Sequence, residues 1–335
     1  MLLTFAYMTP LIILSFVSGF LDRENLGRLF FITCCVYVAS LSLKPFGISP
    51  DDYNYSVILK QGCIDLPCLP FGRDFIWINI VTLGKLTDSF VFVVIFACAA
   101  LSLKLFVLFK LSHFNYIGLF LYLCYSMHLF DFTQYRAGLA LTFSFLAYYC
   151  IVRFKKIRAI ALTSLAMGSH LIGFISLLQF VKIPHTKIIL LTFIILSLGF
   201  FYFLQTAPVV NLDIFSHFSF IFRYQEGALS GKFEESGVLG FGYFICIFIF
   251  AVVCSVPSKK NAKYLLPLVA LGLFQYPLLS FIPVISSRVL EFTFSFICLT
   301  IGQLKIGQYR RILLSLCSLL LFFRSHYNGY YFLEI

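Results

Sequence analysis

The chain has 335 residues, of which 61% are hydrophobic and 12% charged, with a mean hydropathy of +0.96. Soluble domains average about 45–50% apolar and about 25% charged, so a soluble fold is excluded. The apolar residues suffice for about ten spans of about 20 residues each. A net charge of +11 would suit a polyanion partner in a soluble protein. In a membrane protein it marks cytoplasmic loops instead, and no nucleic-acid partner is expected.

Met1 to Phe20 is apolar but lacks a basic start and an A-x-A cleavage site, so it reads as a retained span at 2–20. Further apolar runs predict spans near 28–44, 88–109, 114–131, 137–152, 188–206, 237–256, 264–282, 290–304 and 312–323. The loop 45–87 holds Asp51, Asp52, Tyr53, Arg73 and Asp74, with a surface helix predicted at 74–86. Cys63 and Cys68 share that loop, and whether they pair is open. The remaining cysteines are scattered, without metal-type spacing. The stretch 159–181 reads either as one long helix or as two half-length helices broken at Gly168-Ser169-His170.

Loop charge decides between them. Arg153, Lys155, Lys156 and Arg158 place the preceding loop inside. If the chain turns back at His170, Lys182, Lys187, Lys259, Lys260, Lys263, Lys305, Arg310 and Arg311 also fall inside. That reading gives the inside 16 of the 25 Lys and Arg residues against two acids, Asp22 and Glu24. The expected architecture is therefore an all-α polytopic membrane protein of about ten full spans plus two half-length helices broken near Gly168–His170. Residues 1–335 are expected to form a single integral membrane domain, without a soluble domain. The two long loops, 45–87 and 207–236, both face outward. Irregular backbone at membrane depth is tolerated only where protein or water covers it, so the break points to a cavity.

The outer face collects arginines against the inward bias. Arg136 stands at the mouth of a span, Arg223 lies in the second long loop beside Tyr224, and Arg288 follows Ser286-Ser287 at the start of another span. Ionisable groups at membrane depth are costly and mark function. Guanidinium forks suit phosphate and pyrophosphate, and the placing of Arg136 and Arg288 near helix N-termini favours an anion. The alternative is that each snorkels or pairs with a carboxylate, as Arg288 would with Glu291. His170, at the break, suits a general base or a donor to a leaving phosphate, or a purely structural role. Asp51 and Asp52 would orient sugar hydroxyls, act as the base, or solvate a loop. Glu226, Glu234 and Glu235 are weaker candidates for the base. Tyr53, Tyr55, Trp77, Tyr135 and Tyr224 suit sugar stacking and an interfacial aromatic belt equally. There is no P-loop, no GxGxxG and no D-x-D pair, which argues against a nucleotide-sugar enzyme and an ATP-driven pump. No metal or cofactor is expected.

Three stretches resemble the EpsG-type, Wzy-like polymerases of bacterial O-antigens and exopolysaccharides. Gly47-Ile48-Ser49-Pro50-Asp51-Asp52-Tyr53 is similar to the family's G-x-D-x-x-x-Y loop. Gln134-Tyr135-Arg136-Ala137-Gly138, followed by Ala166-Met167-Gly168-Ser169-His170, resembles its R-x-G helix and small-residue segment ending in His. Ser287-Arg288-Val289-Leu290 resembles its late R-[IL]-x-x-Y/F helix, with Val289 and the missing Tyr as departures. The resemblance covers about residues 45–300. It implies a glycosyltransferase of the inner membrane, with a GT-C-like helical bundle and an inverting, metal-independent mechanism at the periplasmic face. The growing glycan on undecaprenyl pyrophosphate would pass to a hydroxyl of a newly flipped lipid-linked repeat unit. Arg136, Arg223 and Arg288 would stabilise the leaving pyrophosphate, His170, Asp51 or Asp52 would be the base, and Tyr53, Tyr135, Tyr224 and Glu226 would bind sugar. A chain-length regulator and a flippase are the implied partners, beside the membrane lipid. The rival classes are a lipid-linked oligosaccharide flippase or other secondary transporter and a membrane polysaccharide acyltransferase.

Overall fold

Backbone in lipid has no water to bond to, so a chain this apolar must satisfy its amides internally. The computed structural model describes residues 13, 23–42, 74–86, 91–131, 134–181, 195, 199, 240–257, 265–279 and 283–327, and all regular structure among them is helical. The elements are α1 (Arg23–Ser42), α2 (Phe75–Leu86), α3 (Val91–Leu111), α4 (Ile117–Phe130), α5 (Tyr135–Val152), α6 (Lys156–Ser169), a 3₁₀ helix (Leu171–Phe180), α7 (Phe241–Ser255), α8 (Leu266–Leu278), α9 (Pro283–Phe294), α10 (Phe296–Gly302) and α11 (Gln308–Tyr327). The predicted spans 2–20 and 188–206, the loops 45–73 and 207–236, and the Cys63–Cys68 pair lie outside the described residues, apart from single helical positions within the spans. Among the described residues three helices are long and apolar enough to cross a membrane: Val91–Leu111, Tyr135–Val152 and Ile285–Gly302. The count of ten full spans is thus not reached by the described helices; the apolar part of α1, Gly27–Ser42, and α4, α7 and α8 are shorter.

The chain forms two compact units, Met1–Val181 with Cys298–Ile335, and Lys182–Ile297. In the first, α3, α5 and α6 pack side by side, with α2 against α3 and α6 and with α4 against α11. α4 is wound as a π turn over Tyr122–Ser126 and is fully buried. Close approach of α4 to the 298–302 segment depends on Gly118, where a Cβ would collide with the Cys298 carbonyl. Asn115 seals the lower junction, donating to the carbonyls of Ile301 and Leu304 at 3.0 and 2.8 Å.

The break at Gly168–His170 has a definite geometry. α6 ends at Ser169, His170 is extended (φ −162°, ψ 146°), and the 3₁₀ helix follows. The chain reverses there: Gly173 comes back against the Ala166 carbonyl, and Gln179 Nε2 donates to the Ser144 carbonyl, midway along α5, at 3.3 Å. At the other end of α6 the turn from α5 closes through Lys155 N–H to the Cys150 carbonyl (2.9 Å) and Phe154 N–H to the Ile151 carbonyl (3.0 Å). This is the Schellman pattern, with Phe154 rather than glycine in the left-handed position, at φ 60°.

One end of the first unit is basic. Phe114 N–H bonds the Gly302 carbonyl, Gln303 bonds the Tyr148 hydroxyl, and Tyr116 sits over Gly27, so the loops between α3 and α4, α5 and α6, and α10 and α11 meet beside the start of α1. Arg28, Lys110, Arg153, Lys155, Lys156, Arg158, Lys305 and Arg310 gather at that end, all solvent-exposed.

In the second unit α8 and α9 form a tight pair. Gly272 admits Thr293 where a Cβ would not fit, and Gln275 Nε2 donates to the Ser286 carbonyl at 3.0 Å. Tyr243 of α7 joins them by donating its hydroxyl to the Leu273 carbonyl at 2.7 Å.

Candidate functional site

The start of α5 is where the predicted residues converge. Arg136 is the second residue of α5, in the first turn, where backbone N–H groups lack intrahelical partners. Its Nη1 bonds Asp74 Oδ2 at 3.0 Å, with Asp74 7% exposed and the Arg136 side chain 35% exposed. Asp74 stands at the head of α2 in the left-handed region (φ 59°), and its carbonyl receives the Ile78 N–H that opens the helix. A short polar side chain tolerates that conformation better than most. The buried carboxylate therefore orients a guanidinium that keeps part of its surface open.

Next to this pair, Tyr135 stacks on Trp77 with ring centroids 6.4 Å apart and planes 16° from parallel. Both rings are buried, Trp77 to 3% exposure. The predicted surface helix at 74–86 is thus an apolar helix with one buried face, carrying Trp77, Ile80 and Val81.

The end of α6 reaches the same place. Gly168 lies against the ring of Phe75, one residue from Asp74, where a Cβ would collide. Two residues later His170 Nδ1 accepts the Ile172 N–H at 3.1 Å and caps the 3₁₀ helix. A neutral imidazole has one donor and one acceptor nitrogen. With the Nδ1 lone pair taken, the ring proton sits on Nε2, so His170 offers a donor at Nε2 rather than a base.

Arg288 and Glu291 belong to the second unit. Arg288 is the sixth residue of α9, because the helix opens at Pro283, whose fixed φ and missing N–H suit a first helical position. The expectation that Arg288 stands at a helix N-terminus is not met, since the macrodipole's effect fades beyond the first turn. Its Nη1 lies 3.6 Å from Glu291 Oε2, a loose i,i+3 ion pair beyond hydrogen-bond distance. Asp51, Asp52, Tyr53, Arg223, Tyr224 and Glu226 lie outside the described residues.

Beneath Arg136 lies a polar network built from residues far apart in the sequence. Lys104 of α3, fully buried, pairs with Asp131 just past α4, which is 2% exposed. Lys104 Nζ also donates to the Gly138 carbonyl at 3.0 Å, Thr142 Oγ1 donates to the same carbonyl at 2.9 Å, and Tyr122 donates to Asp131 Oδ2 at 2.5 Å. The available signal was one lysine inside a long apolar run. Such a residue is functional by default, but its partner cannot be read from one strand of sequence.

The EpsG family model matches residues 28–333, nearly the whole chain. The chain belongs to the EpsG family, a family of Wzy-like polymerases. No curated protein and no solved structure matches it. EpsG membership makes it a membrane protein of the polysaccharide-polymerase type, related to glycosyltransferases. Arg136 and His170 fall within the matched region, as do Asp74, Lys104 and Asp131.

Proposed function

We propose that this EpsG-family chain joins oligosaccharide repeat units carried on undecaprenyl pyrophosphate, at the periplasmic face of a bacterial inner membrane. The observation that carries the reading is the Arg136 corner: a guanidinium in the first turn of a long helix, oriented by a buried carboxylate, beside stacked aromatics and near a histidine whose Nδ1 caps the 3₁₀ helix.

In this reading an acceptor hydroxyl attacks the anomeric carbon of the donor, with inversion, and the bond to pyrophosphate breaks. Negative charge then grows on the leaving group, and groups already aimed at that charge lower the barrier most. Arg136 and the first-turn amides of α5 take that part, and the tautomer of His170 fits it for donating a hydrogen bond to the departing phosphate. The proton of the acceptor goes to Asp51 or Asp52, since the Nδ1 lone pair of His170 is occupied. Tyr135 and Trp77 form the wall on which a sugar ring packs. No metal enters these steps. A flippase would hand over repeat units, and a chain-length regulator would act on the product.

The test is the surface polysaccharide of cells lacking the chain. The expected result is a ladder collapsed to one repeat unit on its carrier or lipid core, restored by the wild-type chain and not by R136A, which lowers the rate at least about a hundredfold. A normal ladder without the chain would sink the reading. Loss of even the single-unit band would point to transport of the units instead.

A further inference from the structure

The proposed chemistry uses the rim of the corner and leaves unexplained the charge pair buried beneath it. Removing two ions from water is expensive, and an apolar pair of similar volume often does as well or better for stability. A chain that keeps Lys104 and Asp131 in its core has a use for their geometry. Lys104 Nζ contacts both Asp131 and the Gly138 carbonyl. Those two partners bracket the turn that carries Gln134, Tyr135 and Arg136. Gly138 is itself obligatory there, because a Cβ would collide with the Phe130 carbonyl. Tyr122 holds the second oxygen of Asp131, and Thr142 holds the Gly138 carbonyl from below.

We propose that Lys104 and Asp131 are positioning residues for the reaction: the ammonium ties the end of α4 to the first turn of α5 and so fixes Arg136 and Tyr135 against Asp74 and Trp77. This inference rests on the placing of the donor pyrophosphate at Arg136. A misplacement of about 1 Å at such a site costs about a hundredfold in rate, so a rigid tie has value beyond stability.

Trp77 is the only tryptophan in the chain, so its fluorescence reports on this corner without any label. The experiment compares purified wild type with K104M/D131L, which removes both charges and keeps apolar volume, and with Y122F, which removes only the hydrogen bond to Asp131. Each is assayed for expression, helical circular dichroism, Trp77 emission and quenching by acrylamide, and polymer output. The expected result for the double variant is a normal level and helix content, red-shifted and more quenchable Trp77 emission, and polymer output lowered about tenfold to a hundredfold. Y122F shifts both readouts in the same direction by less. Wild-type emission in both variants would overturn the tie, whatever the ladder shows. A shift with a wild-type ladder would overturn the role in the reaction, while the placing of the donor at Arg136 stands or falls separately with R136A. Should the double variant fail to accumulate, Y122F decides alone by the same two readouts.

Discussion

Arg136 carries a permanent charge at the head of a membrane helix, and its partner is Asp74, 62 residues earlier in the chain. D74N keeps the shape of that partner and removes its charge. It is expected to accumulate normally and to lower polymer output about tenfold to a hundredfold, measured by ladder intensity at matched protein level; an unchanged ladder would show that Arg136 needs no orienting. His170 is read from a different comparison. Asparagine is among the best helix-capping residues, so H170N should replace Nδ1 as the acceptor for Ile172 N–H while losing the imidazole donor. H170A should lose both and accumulate less, by about 1 kcal/mol of stability. Loss of polymer in H170N at normal protein level is the expected result, and a full ladder there would confine His170 to capping. The charge pair below obeys a harsher rule. K104M alone leaves Asp131 buried without its ammonium, which costs about 3–5 kcal/mol, so the single variant should be barely detectable in membranes by immunoblot where K104M/D131L is not.

The helices meet through glycines, and the cost of filling each gap depends on what stands opposite. Gly118 faces the Cys298 carbonyl and Gly138 the Phe130 carbonyl, both backbone, whereas Gly168 faces the ring of Phe75. A ring can turn and a backbone cannot, so G118A and G138A should each cost about 1–3 kcal/mol and G168A less. The midpoint of thermal aggregation of the detergent-solubilised protein would rank them. Much of this element layer was legible in the sequence, because apolar runs bounded by polar residues report span positions directly. The break at Gly168–His170 was legible because the basic loop before it and the charges after it could be reconciled only by a reversal. The contents of the corner were not. Asp74 falls in a long polar loop of the sequence with nothing to connect it to Arg136, since ion pairs between helices leave no periodic trace. Lys104 lies inside one apolar run and Asp131 at the end of another, with nothing in the sequence to pair them. The start of α9 was misplaced for a simpler reason: Pro283 opens the helix well before its apolar stretch, which moves Arg288 into the second turn.

At the scale of the molecule, one end of the first unit gathers cations that are far apart in sequence, from Arg28 to Arg310, around loops tied together by hydrogen bonds. This is the arrangement expected of a cytoplasmic face. Phe154, 86% exposed on the turn between α5 and α6, gives a probe for it. In a variant otherwise free of cysteine, F154C should resist a membrane-impermeant maleimide in intact spheroplasts and react after permeabilisation; labelling in intact spheroplasts would invert the topology. Measured upward from this face, α4 spans Ile117–Phe130 and rises only about 21 Å, against a hydrocarbon core of about 30 Å. With the basic face set at the inner headgroups, the turn that follows it would lie below the opposite headgroups, and Arg136 with it. A carrier lipid would not have to lift its phosphates clear of the bilayer to meet such a ledge; the surrounding leaflet would have to thin, or the glycan reach down. Polymerisation should then respond to acyl-chain length itself, fastest in vesicles of short-chain lipids and slowing as the bilayer thickens, because each added ångström of hydrocarbon deepens the well in which the sugars must react.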